Sequence, residues 1–335
     1  MSLRECIEKL IHRQNLERET CRQAFIEMLK PESNPLQIAA FLVLLRAKSA
    51  TTEELDSFLS VLREKMIPVP TPHRVLDIVG TGGDHSNSIN ISTGSAILAA
   101  SCGIKIAKNG NRGISSLTGA ADVLEALGIK IDLSPEKVAA CIDQVGIGFC
   151  FFPNFHPAAV GLRALGKQLQ ISTALNFLGP LLNPASPSHY LLGVFDDTLM
   201  PVIAKLLQQA GTQHSMVVHG HGLDELSCIG KARFLEVRPT GLTDVLLDPE
   251  VLGLPLCPQS ALTGGKPEHN AKILVEAFSG KAGPVADTLI LNTAAALYLY
   301  GHYPSIAEGI KHAKDNLYSE APLTLLKKWG ECSHD

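Results

Sequence analysis

The chain predicts an α/β protein: a large lobe with a mostly parallel sheet flanked by helices, plus a small all-helical lobe. Three observations lead there. Residues 1–66 place apolar side chains at helical spacing throughout; Pro68, Pro70 and Pro72 then make a stiff connector; beyond it, short β-branched runs alternate with helical ones. Such alternation suits parallel strands, because each crossover between them is long enough to hold a helix.

In the first segment, Leu3, Ile7, Leu10 and Ile11 share a helical face, and Cys21, Phe25 and Leu29 repeat the spacing. Asn34-Pro35 sets a capping side chain before a proline at the first helical position, opening a helix through the apolar run 39–45. Thr51-Thr52-Glu53-Glu54 starts another, with Leu55, Phe58, Leu59 and Leu62 on one face. After the prolines, 74–79 reads as a buried strand running into a glycine loop, 93–102 as a small-residue helix and 104–107 as a second strand. A helix at 121–127 is closed by Gly128. Strand-like stretches at 149–152, 190–195, 215–219 and 234–237 alternate with helices such as 201–209, and an Ala-rich helix occupies 292–300. The expected division is a helical lobe of residues 1–70, to which about 160–185 return, and an α/β lobe of 71–159 and 186–335.

A net charge of −4 gives no general attraction to nucleic acid or to an anionic membrane, so any anion must be held by a local site. The apolar run 39–45 falls far short of the roughly 18–20 residues that span a bilayer. Arg4, Glu5, Glu8 and Lys9 interrupt what would be the apolar core of a signal peptide, and the expectation is a cytoplasmic protein. The eight cysteines include no C-x-x-C pair and read as buried reduced thiols.

The chemistry concentrates in three loops that follow strands. Gly80-Thr81-Gly82-Gly83-Asp84 leaves backbone N–H groups open to an anion, with Ser92 and Thr93 at the start of the next helix, where free N–H groups also favour negative charge. The spacing is neither G-x-G-x-x-G nor G-x-x-x-x-G-K-[ST], so no dinucleotide fold or P-loop is indicated. Lys108, Asn111 and Arg112, with Ser115 and Ser116 behind them, follow the next strand at the same end of the sheet, where α/β proteins bind ligands. The third loop, His219-Gly220-His221-Gly222-Leu223-Asp224-Glu225, has two readings. Its histidines could ligate zinc with a carboxylate, as in a metallohydrolase, or its adjacent carboxylates could hold Mg²⁺ through oxygen. Pairing Mg²⁺ with a phosphate-binding rim fits the other two loops better.

These loops, with Ala121-Asp122-Val123-Leu124-Glu125, Phe155-His156-Pro157 and Asn176-x-Leu178-Gly179-Pro180-Leu181-x-Asn183-Pro184, resemble the anthranilate phosphoribosyltransferases of tryptophan biosynthesis nearly end to end. The resemblance implies a nucleoside-phosphorylase-like fold and a homodimer formed through the helical lobe. It implies that phosphoribosyl pyrophosphate (PRPP) binds through Gly80, Gly83, Asp84, Ser88, Asn90, Ile91, Ser92 and Thr93 on one loop. On the other it implies Lys108, Asn109, Gly110, Asn111, Arg112, Gly113, Ile114, Ser115, Ser116 and Ala120. Mg²⁺ is implied at Ser92, Asp224 and Glu225, which displaces the zinc reading, and the aromatic amine at Gly80, Asn111, His156, Arg163 and Gly166. Lys108 would stabilise developing charge, and no general base is needed for an arylamine attacking an oxocarbenium-like carbon.

Two positions depart from the pattern. The family has histidine where this chain has Asn109, and an arginine that grips the anthranilate carboxylate where it has Gly166; Arg163 lies one turn earlier and Lys167 adjacent. A bidentate arginine–carboxylate contact contributes about 1.5–3 kcal/mol, so its loss alone weakens the acceptor roughly tenfold to a hundredfold. The alternatives are therefore a phosphoribosyltransferase with another aromatic or heterocyclic acceptor, or a non-catalytic ligand-binding paralogue.

Overall fold

The computed structural model describes residues 2–84, 86–113 and 116–335, leaving the expected donor contacts Ile114 and Ser115, and the side chains of Arg163 and Lys167, outside the description. Four helices come first: α1 (Leu3–Ile11), α2 (Arg18–Met28), α3 (Pro35–Ala47) and α4 (Thr52–Lys65). The expected caps form: Asn34 accepts from the Leu36 N–H, and Thr51 and Glu54 make a reciprocal capping box. Glu54, fully buried, also accepts from the Leu16 N–H at 2.8 Å and from Lys48 Nζ at 2.6 Å, so one carboxylate ties α3, α4 and the α1–α2 connection together.

After the prolines come β1 (Leu76–Gly80), α5 (Ile91–Ser101), β2 (Ile106–Gly110), α6 (Ala120–Ala126), α7 (Pro135–Gln144) and β3 (Ile147–Phe151). The chain then returns through α8 (Phe152–Phe155), α9 (Val160–Leu169) and α10 (Ala174–Phe177) before β4 (His189–Gly193), α11 (Met200–Gln209), β5 (His214–His219), β6 (Ala232–Arg238) and β7 (Gly241–Leu247). Four helices finish it: α12 (Pro267–Phe278), α13 (Pro284–Leu299), α14 (Ile306–Leu317) and α15 (Ala321–His334).

The seven strands run in the order β3-β2-β1-β4-β5-β6-β7, the first five parallel and β6 and β7 antiparallel. β7 escapes the sequence reading because it is an edge strand with most side chains exposed, so no inward–outward alternation marks it. Along β1, β4 and β5 the alternation is strict. Leu76, Ile78, Leu191, Met216 and Val218 enter the core shared with α5 and α13, while Val79, Tyr190, Leu192 and Val217 enter the core shared with α1–α4 and α11. Leu162, Ala174 and Leu178 of the returning segment join that second core. The segment is also fastened through its carbonyls: Arg63 donates to Leu181 O at 3.2 Å, and Arg46 donates to Ser172 O.

The strand order places β1 beside β4, with β1→β2→β3 leading one way and β4→β5 the other. That reversal opens a crevice at the carboxyl ends of β1 and β4, the customary ligand position in such sheets. Gly80 pairs with Gly193 across it.

Candidate active site

Both glycines flanking the crevice are required by what lies on them. A Cβ at Gly80 would run into the carboxylate of Asp224, and one at Gly193 into its backbone carbonyl. Asp224 sits in the turn after β5, buried, and its Oδ2 accepts from the Gly82 N–H at 2.6 Å. Glu225 accepts through Oε1 from the Ser92 N–H, in the first turn of α5, at 3.2 Å. Two loops 140 residues apart in sequence are thus joined at one point. Gly82 and Gly83 take φ of 65° and 89°, values an L side chain resists, and Gly83 packs against the Phe195 ring.

The acidic groups crowd. Burial and then the neighbouring charge of Asp84 push the Asp224 carboxyl up to about 7; burial and then Asp224 push Glu225 well above the usual range. Asp84 also accepts from the Ser86 N–H at 3.1 Å. The donors here are carboxylates and a hydroxyl, hard oxygen ligands of the kind Mg²⁺ takes, so Ser92, Asp224 and Glu225 fit that ion. Among the described residues, no group of three or more His, Cys, Asp and Glu stands in metal-ligating range. The two histidines of the third loop are occupied otherwise: His219 Nδ1 faces Val194 O at 2.8 Å, and the His221 ring lies against Gly230.

Lys108 is only 1% exposed. Its Nζ donates to Ile78 O at 2.8 Å and to Ser92 Oγ at 3.4 Å, and burial, opposed by Asp77, Glu225 and Asp224, pulls its pKa down. It is therefore part of the floor of the site, where it offsets the carboxylates from below. Arg112 is half-exposed and paired, with Asp122 at 3.0 Å and Glu125 at 2.6 Å. Asp122 in turn accepts from the Gly113 and Gly119 N–H groups, both at 2.9 Å, and so fixes the shape of that loop. Gly110 is glycine because a Cβ would press on the Phe149 ring and the Ala120 methyl. Ser116 donates to Thr118 O at 3.2 Å; Asn111 accepts from the Ala121 N–H at 3.1 Å; Ser88 bridges to Thr263.

Of the expected acceptor residues, His156 reaches the turn 179–182, and there it is joined by Asn109, expected on the donor side. Asn109, buried on β2, donates through Nδ2 to Gly179 O at 3.1 Å, and its Oδ1 has no partner. His156 faces Leu182 O through Nε2 at 2.8 Å. Because a carbonyl can only accept, Nε2 carries the proton and Nδ1 keeps a lone pair, which likewise has no partner. Burial pulls the His156 pKa down to about 4, so the ring is neutral at ordinary pH. Gly166 and Arg163 lie on α9, and a Cβ at Gly166 would meet nothing closer than Leu175 at 3.6 Å.

Sequence reasoning missed Asp77. Fully buried on β1, it accepts from the Asn109 N–H at 3.2 Å and from Asn183 Nδ2 at 2.8 Å, while Asn183 also donates to Ala107 O at 2.7 Å. Burial pushes its pKa up to about 7 against the pull of Lys108. A carboxylate inside the apolar run Leu76-Asp77-Ile78-Val79 was the available signal.

Known proteins resemble the chain over most of its length. Residues 72–321 match the glycosyl transferase family a/b domain, and residues 4–66 that family's helical bundle domain. An anthranilate phosphoribosyltransferase of Chlamydia felis is 44% identical over 89% of this chain and 87% of its own; one from Methanosarcina mazei is 42% identical over 95% and 86%. The chain belongs to the anthranilate phosphoribosyltransferase family. The solved structure of the Thermus thermophilus member superposes with a TM-score of 0.93 at 36% identity, over 98% of this chain and 99% of that one. A Saccharomyces cerevisiae member, in complex with PRPP and Mg, gives 0.91 at 29% identity over 99% and 98%. The family fold is thus present over nearly the whole chain.

Proposed function

We propose that this chain transfers the phosphoribosyl group of PRPP to the amine of anthranilate, releasing pyrophosphate, as a step of tryptophan biosynthesis. The observation that carries the reading is the junction of the Asp224–Glu225 turn with the glycine loop and the head of α5 at the sheet's reversal point. Relatives named for this activity support it, as do neighbours in complex with PRPP and Mg or with 4-fluoroanthranilate.

The loop from Gly80 to Asp84, the stretch from Ser88 to Thr93 and the loop from Asn109 to Ser116 hold the donor's phosphates. Ser92, Asp224 and Glu225 hold Mg²⁺, which when bound neutralises charge gathering on the departing pyrophosphate. Lys108, bonded to Ile78 O and Ser92 Oγ, supplies positive charge beneath the site that opposes charge developing on the leaving group. The amine nitrogen's lone pair forms a bond to the ribose anomeric carbon as the bond to pyrophosphate oxygen breaks, and that electron pair leaves with pyrophosphate. The nitrogen then gives up a proton to solvent. Two unpartnered buried acceptors, His156 Nδ1 and Asn109 Oδ1, suit a ligand bringing N–H donors, as an aromatic amine does. We assign the acceptor side to Gly80, Asn111, His156, Arg163 and Gly166, the helical lobe to residues 1–70 with 160–185, and the oligomer to a cytoplasmic homodimer through that lobe.

Mixing the protein with PRPP, Mg²⁺ and anthranilate tests the reading, followed by loss of anthranilate fluorescence and release of pyrophosphate. Turnover supports it; Mg²⁺-dependent PRPP binding without anthranilate turnover favours the same chemistry on another arylamine, the reading that Gly166 supports.

A further inference from the structure

Behind the two donor loops, four hydrogen bonds close a ring that the proposed reaction leaves unexplained. Asn270, in the first turn of α12, is 1% exposed. Its Nδ2 donates to Asn90 Oδ1 at 2.9 Å and its Oδ1 accepts from the Gly265 N–H at 2.7 Å. Asn90 passes the chain on, donating through Nδ2 to Thr118 O at 3.1 Å, and Thr118 Oγ1 donates back to Gly265 O at 2.6 Å. Every partner fixes the orientation of the next: each amide oxygen faces an N–H, and each amide nitrogen faces an oxygen that can only accept or is committed to accepting.

The ring overrides a local preference. Asn90 stands immediately before α5, where an asparagine ordinarily caps the helix, yet its side chain makes no capping bond and is drawn into the ring instead. Its neighbour Ser92 holds Glu225, and Thr118 ends the loop that Asp122 shapes around Gly113 and Gly119. Backbone bonds brace the same place: the Ile89 N–H donates to Leu262 O at 2.9 Å, and the Gly264 N–H to Asn87 O at 2.8 Å. Gly264 admits no side chain, since a Cβ would lie 2.6 Å from Ser88 O and 2.9 Å from Asn270 Oδ1. Three stretches distant in sequence, 87–92, 116–119 and 262–270, are thereby locked at one spacing.

We propose that Asn270 is a positioning residue for PRPP. It touches neither reacting atom; it sets the separation of the two donor loops so that both close on one pyrophosphate. The inference rests on the functional reading above and adds to it a residue outside every motif that pointed to that reading.

Calorimetry and steady-state kinetics on the full chain test it with Asn270→Ala, which empties the ring, and Asn270→Asp, which keeps the acceptor for Gly265 and turns an oxygen toward Asn90 Oδ1. Both variants are expected to raise the PRPP Kd and KM about tenfold while the anthranilate KM stays within about twofold. A merely structural role would lower the melting temperature and leave PRPP affinity within about twofold, or raise both KM values in equal proportion, and either result overturns the inference. Thr118→Val removes the hydroxyl from the ring's far side while keeping its shape, so it reads the same coupling if Asn270→Ala does not fold; unchanged PRPP affinity in a folded Thr118→Val overturns it too. Wild-type protein that binds no PRPP in the presence of Mg²⁺ defeats the functional reading itself, whereas wild-type binding with equal binding by the variants defeats only the role of Asn270.

Discussion

The glycine rim and the returning segment 156–183 are held in place by different means. On the rim, buried charged side chains hold the backbone of the neighbouring loops. Asp224 rests on Gly80 and Gly193 and accepts from Gly82, Glu225 accepts from Ser92, and Lys108 spans Ile78 and Ser92. The returning segment is fastened mostly by its backbone carbonyls: Gly179, Leu181, Leu182 and Ser172 accept from Asn109, Arg63, His156 and Arg46. A side chain that braces its neighbours can change without cost to the fold only to one that keeps its accepting oxygen. Side chains on a segment held by its carbonyls carry no such duty, and a Cβ at Gly166 would meet, among the described residues beyond its own helix, only Leu175 at 3.6 Å. Donor chemistry is therefore written into the architecture, and acceptor choice is laid over it.

The largest effect expected from breaking the rim is with Asp224→Asn and Glu225→Gln together. Turnover should fall by about a thousandfold or more, because the Mg²⁺ ligands go, while circular dichroism and melting stay close to wild type. Undiminished rates would contradict the metal assignment. Asp77→Ala attacks the brace that joins rim to segment: it takes the acceptor from the buried Asn109 N–H and one of the two acceptors from Asn183 Nδ2. Urea denaturation should register a loss of about 1–3 kcal/mol, the usual cost of leaving a buried donor without its acceptor. A loss below about 1 kcal/mol would mean that Asp77 bears little of the joint.

How far the sequence could be read follows the same division. The Gly80–Asp84 loop and the Asp224–Glu225 doublet announced themselves because glycine and acid are needed at fixed, closely spaced positions. The caps at Asn34 and Thr51 were equally legible, being local. Asp77, Asn183 and Asn270 were not assigned their roles, since each has a deciding partner at least tens of residues away and the local sequence, even the acid in the apolar run at Asp77, does not say which. Lys108 was recognised as a cation, but its burial could be known only once β1 and α5 were seen to close over it. β7 was lost because exposure on an edge erases the period of two.

A control lies at the opposite end of the sheet, where His189 opens β4 beside the Tyr300 ring, with Arg74 and His214 the charges that face it. Burial, aided by Arg74 and His214, lowers its pKa to about 4 from an ordinary 6.5. The unfolded chain takes up this proton first as pH falls, so the contribution to stability is complete above about 6.5 and is lost progressively toward 4. His189→Gln should flatten the dependence of stability on pH across that window by at most about 3 kcal/mol. Some slope remains, because His156 shifts the same way. Identical slopes in the two proteins would show that His189 titrates normally.

The smallest effect sharpens the acceptor side. Gly166→Arg places a cation on α9 at a position whose Cβ would meet no clash, and should lower the anthranilate KM about tenfold with the PRPP KM within about twofold. An unchanged anthranilate KM would point to an acceptor without that carboxylate.

Crystals of the protein grown with PRPP and Mg²⁺ would show whether the glycine loop, the Lys108–Arg112 strand end and the Asp224–Glu225 turn surround one pyrophosphorylated ribose. Pyrophosphate density is expected at the carboxyl ends of β1 and β2, with the metal held by Ser92, Asp224 and Glu225. Density for the ligand away from that crevice, or a metal bound by other side chains, would contradict that arrangement.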